Sequence, residues 1–485
     1  MLRANRGQYL ALDLGTTQAK AVLFDQQGRQ VARAQREIRL HFPRPTWAEV
    51  EAHEWWQAIA AAAREVLTGR AEEVAAVAVS GLMHAVVPTD EEGKPLAPVM
   101  LWFDQRCVPQ AERLRADETF ASPVSGAGKA AVPFNWTYSA AKLLWLREEC
   151  PAVFHAARWF LHAKDFLRAK LTGTFASDPS DARGTRLFDP CRQNWAPDKL
   201  QAIGVPQEKM PPLRPSTALA GEVTPEAAAV TGLRPGTPVG VGGSDVHCAL
   251  AGADVYRPGR VLLYLGTAAW LVRFPADSPY SRREAFERGQ EAVRWIGSTA
   301  TTGGALRWCR DLLGGNLAYS DLEALAAKVP PGAEGLLFRP HLLGERAPHF
   351  DPHARGHLQG LTLAHGRAHL IRAVMEGCAY HLRLIGDWSS GGAEGDLVAV
   401  GGGTQSRLWL EIIASVLGRP LRLCREPEAT ALGAAMLAAV GRGRFPDLPT
   451  AAAAWVRMGE TVEPNPSWQA VYEEGYERYR EAAWG

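Results

Sequence analysis

The chain has 485 residues, 47% of them hydrophobic, with Lys+Arg 53 against Asp+Glu 52 and a formal charge of +1. That length exceeds a single hydrophobic core and predicts two or three domains of a two-lobed enzyme. The balanced charge supplies no basic excess for nucleic acid and no polybasic run for an anionic membrane, which leaves a small molecule as the expected partner.

The first residues, "MLRANRGQYL", carry Arg3 and Arg6 without an apolar signal-peptide core. No apolar run approaches the roughly 18 residues that span a bilayer. Then "YLALDLG", "AKAVLFD" and "GRQVARAQREI" read as a meander of three antiparallel strands separated by glycine or polar turns. "AEVEAHEWWQAIAAAAREVL" has the 3.6-residue spacing of a helix, and "VAAVAVSGLMHAVVPTD" reads as a strand pair. "NWTYSAAKLLWLREECP" reads as a helix stopped by Pro151, and its "NWT" at Asn135 as a chance glycosylation match.

In the second half the order recurs. "RVLLYLGTAAWLVRF" is a strand pair, "AHLIRAVMEGCAYHLRLI" an amphipathic helix, and "DLVAVGGGTQSRLWLEIIASVLG" a strand, glycine turn and helix. The chain reads as a divergent duplication, with a boundary near Leu250 to Tyr256 that gives domains 1–252 and 253–485. Seven scattered cysteines without a CxxC pair fit free thiols in a reducing, cytoplasmic compartment.

Both halves run an apolar strand into Gly-Thr and back out. A tight turn exposes successive backbone N–H groups, glycine permits close approach, and a threonine hydroxyl adds a donor, so each turn suits phosphate oxygens. Two such turns across a cleft would clamp a triphosphate. Asp13, two residues before Gly15, would point into the same cleft and hold a Mg²⁺ water, and Lys20 would add a point charge. Other motif readings are weaker: "GVGGSD" lacks GxGxxG spacing, "GAGKA" around Lys129 lacks the P-loop pattern, and the 13 histidines show no HExxH.

With these residues on the page, the chain resembles the FGGY carbohydrate kinases over nearly its whole length. "DLGTTQAKAVLFD" is similar to the first phosphate loop, "LYLGT" to the second, and "VAVGGGTQSRLWLEIIASVLGRP" to the adenosine-binding strand-turn-helix. "GHLQGLTLAHGRAHLIRAVMEG", Gly356 to Gly377, matches the family signature almost letter by letter, and "KLLWLREE" at Lys142 resembles the other signature. The resemblance implies an α/β fold of two actin-like (ribonuclease H-like) lobes with an ATP and sugar cleft between them, and ATP with Mg²⁺ as cofactors. Its implied ATP contacts are Thr16, Thr17, Lys20, Gly266, Thr267, Gly303, Gly304, Gly402, Gly403 and Ser406, with Asp13 for the metal. Relatives usually continue the second loop with Ser or another small polar residue where this chain has Ala268, which leaves the backbone donors alone.

Gly242 and Gly243 end a strand and would place Asp245 at the cleft where a helix begins. By itself that position suits either a general base or a helix cap worth about 0.5–2 kcal/mol; the resemblance implies the base. His247 reads as pocket-lining or structural. "VSGLMHAVVPTD" and "VMLWFDQRC" resemble the sugar-facing segments of xylulokinases, which implies Met83, His84, Trp102, Asp104, Arg106 and Asp245 at the acceptor. Leu82 and Ala85 in place of that branch's SGQMHG, and Val246 after the catalytic Asp, depart from it, while "GGSD" and "GERAP" lean to gluconokinases. D-xylulose is the expected acceptor, with gluconate or another polyol as the alternative. A non-catalytic actin-like regulator binding ATP or sugar is the reading of a different class. The sequence leaves a homodimer open.

Overall fold

The computed structural model describes residues 7–120, 133–315, 317–389 and 395–482; Lys129 lies outside them. The first sheet is seven-stranded and starts with the expected meander, β1 (Gln8–Leu14), β2 (Gln18–Phe24) and β3 (Gln30–Glu37). It continues with β4 (Val74–Gly81), β5 (Leu219–Glu222), β6 (Pro238–Gly240) and β7 (Gly243–Ser244). The second sheet is six-stranded: β8 (Arg260–Leu265), β9 (Ala269–Arg273), β10 (Arg294–Ser298), β11 (Asp396–Val400), β12 (Leu421–Cys424) and β13 (Met458–Val462).

The strand order is β3-β2-β1-β4-β6-β5 in the first sheet and β10-β9-β8-β11-β12-β13 in the second. In both, the first two pairings are antiparallel, the next two parallel and the last antiparallel. A shared order with shared directions is what a duplicated unit produces. The fold is mixed α/β with two sheet-containing lobes of the actin-like type.

Two expectations need correction. The stretch after Val74 is not a strand pair: β4 runs beside β1, whereas Val87–Thr89 pairs with Trp159–Leu161 in a separate two-stranded sheet. The bend at His84, with φ 68°, turns the chain away before a hairpin can form. Pro151 does not simply stop a helix. The helix Ser139–Glu149 ends at Cys150, and Pro151 opens the helix Pro151–Ala156 at its first position, where no N–H is required. Asn135 is buried and accepts from Thr137, so its sequon sits inside the fold.

Helix α1 (Ala52–Val66) shows why local sequence sufficed: Ala52, Trp55, Ile59, Ala62, Ala63 and Val66 form one buried stripe at helical spacing. The helices that position the cleft are α2 (Pro179–Gly184), α3 (Asp245–Gly252), α4 (Gly303–Leu312), α5 (Arg367–Trp388), α6 (Arg407–Leu417) and α7 (Ala429–Gly441). Helix α7 is buried all round by Ala, Leu and Met, and its apolar core joins Tyr9, Ala11 and Ala78 of the first sheet to Leu262, Val398 and Val400 of the second. It crosses α3 at backbone distance. A Cβ on Gly252 would lie 1.8 Å from the Ala429 carbonyl oxygen, and one on Gly433 would lie 1.9 Å from that of Cys248. The two lobes therefore meet through a tight helix crossing beneath the cleft. Among the described residues no helix is long and apolar enough to cross a membrane.

Candidate functional site

A cleft of about 1280 Å³ opens between the sheets, at the C-terminal ends of their central strands. Asp13 and Asp245 reach it from either side of β4. Asp13 on β1 is in register with Ser80, and Gly243 on β7 pairs with Ser80 from the other edge. Gly242 makes that return: its φ is 79°, and a Cβ there would stand 2.1 Å from the Val79 carbonyl oxygen.

The helix cap at this point is Ser244, whose hydroxyl accepts from the His247 N–H at 3.2 Å, so Asp245 is not spent on capping. Its carboxylate accepts from its neighbour, the Val246 N–H, at 2.8 Å. Burial, then the like charges of Asp181 and Asp13, push the Asp245 pKa up to about 8. Burial also raises Asp13 to about 6, against the opposing pull of Lys20. His247 is buried outside the cleft lining.

Met83, His84 and Trp102 line the end of the cleft nearest Asp245, with Tyr138, Arg186 and Phe188. His84 Nδ1 lies 2.8 Å from the Gly184 carbonyl oxygen, which fixes the ring and makes Nδ1 the protonated nitrogen. Burial pushes its pKa down to about 3, so the imidazole is neutral with Nε2 as an acceptor. Trp102 donates through Nε1 to the Thr16 hydroxyl at 3.0 Å, linking the acceptor end to the first Gly-Thr turn.

Asp104 and Arg106 are corrected: neither lines the cleft. Asp104 is wholly buried and accepts from the Ala48 N–H at 2.6 Å and from Arg106. Arg106 also pairs with Glu49 at 2.7 Å and lies over Trp47. These polar groups are consumed in fixing the loop that carries Trp102.

Thr16, Thr17, Lys20, Gly266 and Thr267 face one another across the cleft, and the Thr17 and Thr267 hydroxyls are 3.5 Å apart. Each turn is closed by its glycine, Gly15 N–H donating to the Gln18 carbonyl three residues on and Gly266 N–H to the Ala268 carbonyl two residues on, so the second turn is one residue tighter. Lys20 is not an isolated point charge, since its Nζ is 2.7 Å from Glu428, which also pairs with Arg33.

Gly303, Gly304, Gly402, Gly403 and Ser406 line the far end with Trp409 and Met375. Gly303 and Gly304 donate to the Gly266 and Thr267 carbonyls at 3.0 and 2.9 Å, so their N–H groups brace the second turn. Ser406 caps α6 through the Trp409 N–H.

Sequence reasoning missed the second-lobe wall of the acceptor end. Tyr264 and Trp270 stack with centroids 4.8 Å apart, and Arg346 lies 5.3 Å from the Trp102 ring. Arg346 belongs to the quoted "GERAP" segment, yet only the fold carries it across the cleft.

Residues 8–252 match the family model described as FGGY family of carbohydrate kinases, N-terminal domain, and residues 278–442 match that of the C-terminal domain. The chain is 30% identical over 480 residues to the xylulose kinase of Bacillus subtilis, spanning 97% of this chain and 95% of the relative. It is 32% identical over an alignment of 501 residues to the glycerol kinase of Bordetella parapertussis, spanning 98% and 96%. Among solved structures, the xylulose kinase from Rhodospirillum rubrum is similar over 98% of each chain, with 33% identity and a TM-score of 0.74.

Proposed function

Because the chain belongs to the FGGY family of carbohydrate kinases, we propose that it transfers the γ-phosphate of ATP to a hydroxyl of D-xylulose, giving D-xylulose 5-phosphate. The observation that carries this reading is Asp245, a carboxylate not spent on the helix cap, beside Met83 and His84 at the end of a cleft faced by both Gly-Thr turns. Similarity to xylulose kinases along the whole chain supports the choice of sugar.

His84 Nε2 accepts from one sugar hydroxyl, and the faces of Trp102 and Trp270 supply apolar platforms for sugar C–H groups. Asp245 takes the proton of the acceptor hydroxyl. With a pKa near 8 it is mostly protonated in the empty cleft at neutral pH, so ligands that bring positive charge must favour its ionised form. The donor set suits Mg²⁺ with ATP: Asp13 is a buried carboxylate that would offer oxygen ligands, and a hard cation would favour the ionised forms of two carboxyls that burial and neighbouring carboxylates hold up. When bound, ATP supplies the phosphoryl group and Mg²⁺ the charge neutralisation. Thr16, Thr17, Lys20, Gly266 and Thr267 are the groups proposed to hold the phosphates. The far end with Gly402, Gly403, Ser406 and Trp409 is proposed for adenosine.

A second reading is favoured by Arg346 and Lys199, which bring cationic heads to the acceptor end and would suit a carboxylate such as gluconate. Seven free cysteines are consistent with the proposed cytoplasmic site of action. The test is ADP release over a panel of ketoses, aldonates and polyols. D-xylulose should give the highest kcat/KM; gluconate in first place would establish the second reading. ADP release that ignores every sugar would leave an ATP-binding regulator.

A further inference from the structure

Helix α2 (Pro179–Gly184) is short, yet it meets both the strand end that carries Asp245 and the His84 ring. Its cap, Asp178, accepts from the Ser180 N–H at 2.9 Å and stands 2.9 Å from Lys164 Nζ. Lys164 is wholly buried and also pairs with Asp165 at 2.6 Å and Asp181 at 3.2 Å, so α2 begins in a charged knot under the first lobe. A metal ion is not needed to explain that knot, because the ammonium group already sits among the carboxylates. Further along, the Ser180 hydroxyl accepts from the Ser244 N–H at 2.9 Å, one residue before Asp245. The Gly184 carbonyl holds His84 at the other end of the helix.

Arg183 points away from all of these, across the cleft. Its Nη1 donates to the Arg288 carbonyl oxygen at 2.7 Å, and its Nη2 is 3.0 Å from Glu291 Oε2. Both partners belong to the second sheet's half of the chain. The segment between them also seats on the catalytic helix: Gly289 lies so close to His247 that a Cβ would be 2.7 Å from Nδ1. Arg183 is 8% exposed and Glu291 26%, and both line the cleft. A guanidinium fork reaches a carbonyl and a carboxylate together, which a single ammonium cannot do with the same geometry.

We infer that Arg183 is a positioning residue: closure of the second lobe onto it sets, through α2, the placement of His84 and Asp245 around the acceptor sugar. The inference rests on the kinase reading. It requires the nucleotide and the sugar, each proposed to touch both lobes, to tighten one another by the same factor.

The test uses the full chain, with calorimetry of D-xylulose binding alone and with a non-hydrolysable ATP analogue. In the parent the analogue should tighten sugar binding by roughly 5–150-fold, the usual span of such couplings. In Arg183→Met and, from the opposite lobe, Glu291→Gln, that factor should fall towards one while each ligand binds separately within a fewfold of the parent. Arg183→Lys should recover part of the coupling. Sugar KM should rise and kcat fall together. Glu291→Gln keeps the question answerable if Arg183→Met fails to fold. Unchanged coupling in a folded Glu291→Gln protein, or no coupling in the parent, overturns the inference. A parent that turns over no sugar overturns the kinase reading instead.

Discussion

The two lobes repeat one sheet and divide its work. In the first hairpin the residue two places before the glycine is Asp13; in the second it is Tyr264, in "LDLGTT" against "LYLGTA". Both side chains face the cleft. The first lobe thus places a carboxylate where the second places an aromatic ring stacked on Trp270. The long excursion after β4 carries Met83, His84 and Trp102, whereas the turn after β11 carries only Gly402–Gln405 and the cap of α6. A duplicated scaffold has kept strand order and diverged in what its strand ends deliver. The two cleft carboxylates gather in one lobe with Met83, His84 and Trp102, and the other supplies backbone donors with an aromatic wall and Arg346.

The sharpest way to break that division is Asp245→Asn, which keeps size and cannot take a proton. We expect kcat to fall by about 10²–10⁴, with calorimetric affinities for sugar and nucleotide within a fewfold. In the parent, kcat/KM should rise with pH through about 8, as free Asp245 loses its proton. The sign for stability is opposite. Folding raises this pKa from 3.8, so its favourable contribution is full only below that value, drains as pH climbs towards about 8 and is gone above it. The D245N protein should therefore melt above the parent at pH 9 while being far less active. Parent-like turnover would return Asp245 to a sugar ligand and send the search for a base elsewhere.

Asp13→Asn should come next, with Mg²⁺ dependence shifted by roughly 10–100-fold, the scale seen when a metal's supporting groups are removed. Titrating Mg²⁺ at fixed ATP separates this from a proton-transfer defect, and an unmoved Mg²⁺ profile would take the metal away from the first hairpin. Gly266→Val tests the other turn. Its Cβ would lie 2.5 Å from the Tyr264 ring, which is held by its stack on Trp270. Nucleotide affinity should fall about tenfold, or ~1.4 kcal/mol, while sugar still binds the first lobe. A folded variant with unchanged ATP affinity would show that the second turn does not hold phosphate.

What was legible in the sequence is what is local. The hairpins, α1 and the strand-turn-helix at β11 each carry their own periodicity and turn residues, so their existence followed from short windows. Asp104 and Arg106 misled because they sit beside Trp102 in sequence and are polar. Only the fold shows Asp104 turned inward onto the Ala48 N–H. Lys20 read as a free charge because its partner, Glu428, is 408 residues away. The most specific signature, residues 356–377, is framework. Within it Arg372 pairs with Glu376 at 2.7 Å and donates to the Tyr472 hydroxyl at 2.6 Å, fastening α5 to the C-terminal helix Gln469–Ala482. A recognisable motif identified the family by its core, and the acceptor wall from Tyr264, Trp270 and Arg346 had no motif of its own.

The smallest effect should come from Tyr264→Phe, and it bears most directly on the division between lobes. Tyr264 stands where the first lobe has Asp13, close enough to Asp13 and Asp245 for their charges to raise its pKa beyond what burial alone does. A phenol so disposed stays neutral and cannot serve as a base, and its hydroxyl is already bonded to Thr430. If the second lobe contributes a wall and not proton chemistry, removing that hydroxyl costs one hydrogen bond, about 0.5–1.5 kcal/mol of stability. The ring, its stack on Trp270 and the space beside Gly266 all remain. Turnover should then stay within a fewfold of the parent, with an unchanged Mg²⁺ profile and an unchanged pH limb near 8. The measurement is kcat against pH and against Mg²⁺, set beside a melting curve. A loss of turnover approaching that of Asp245→Asn would mean that the hydroxyl takes part in the reaction, and that the duplicated hairpins share the chemistry they here divide.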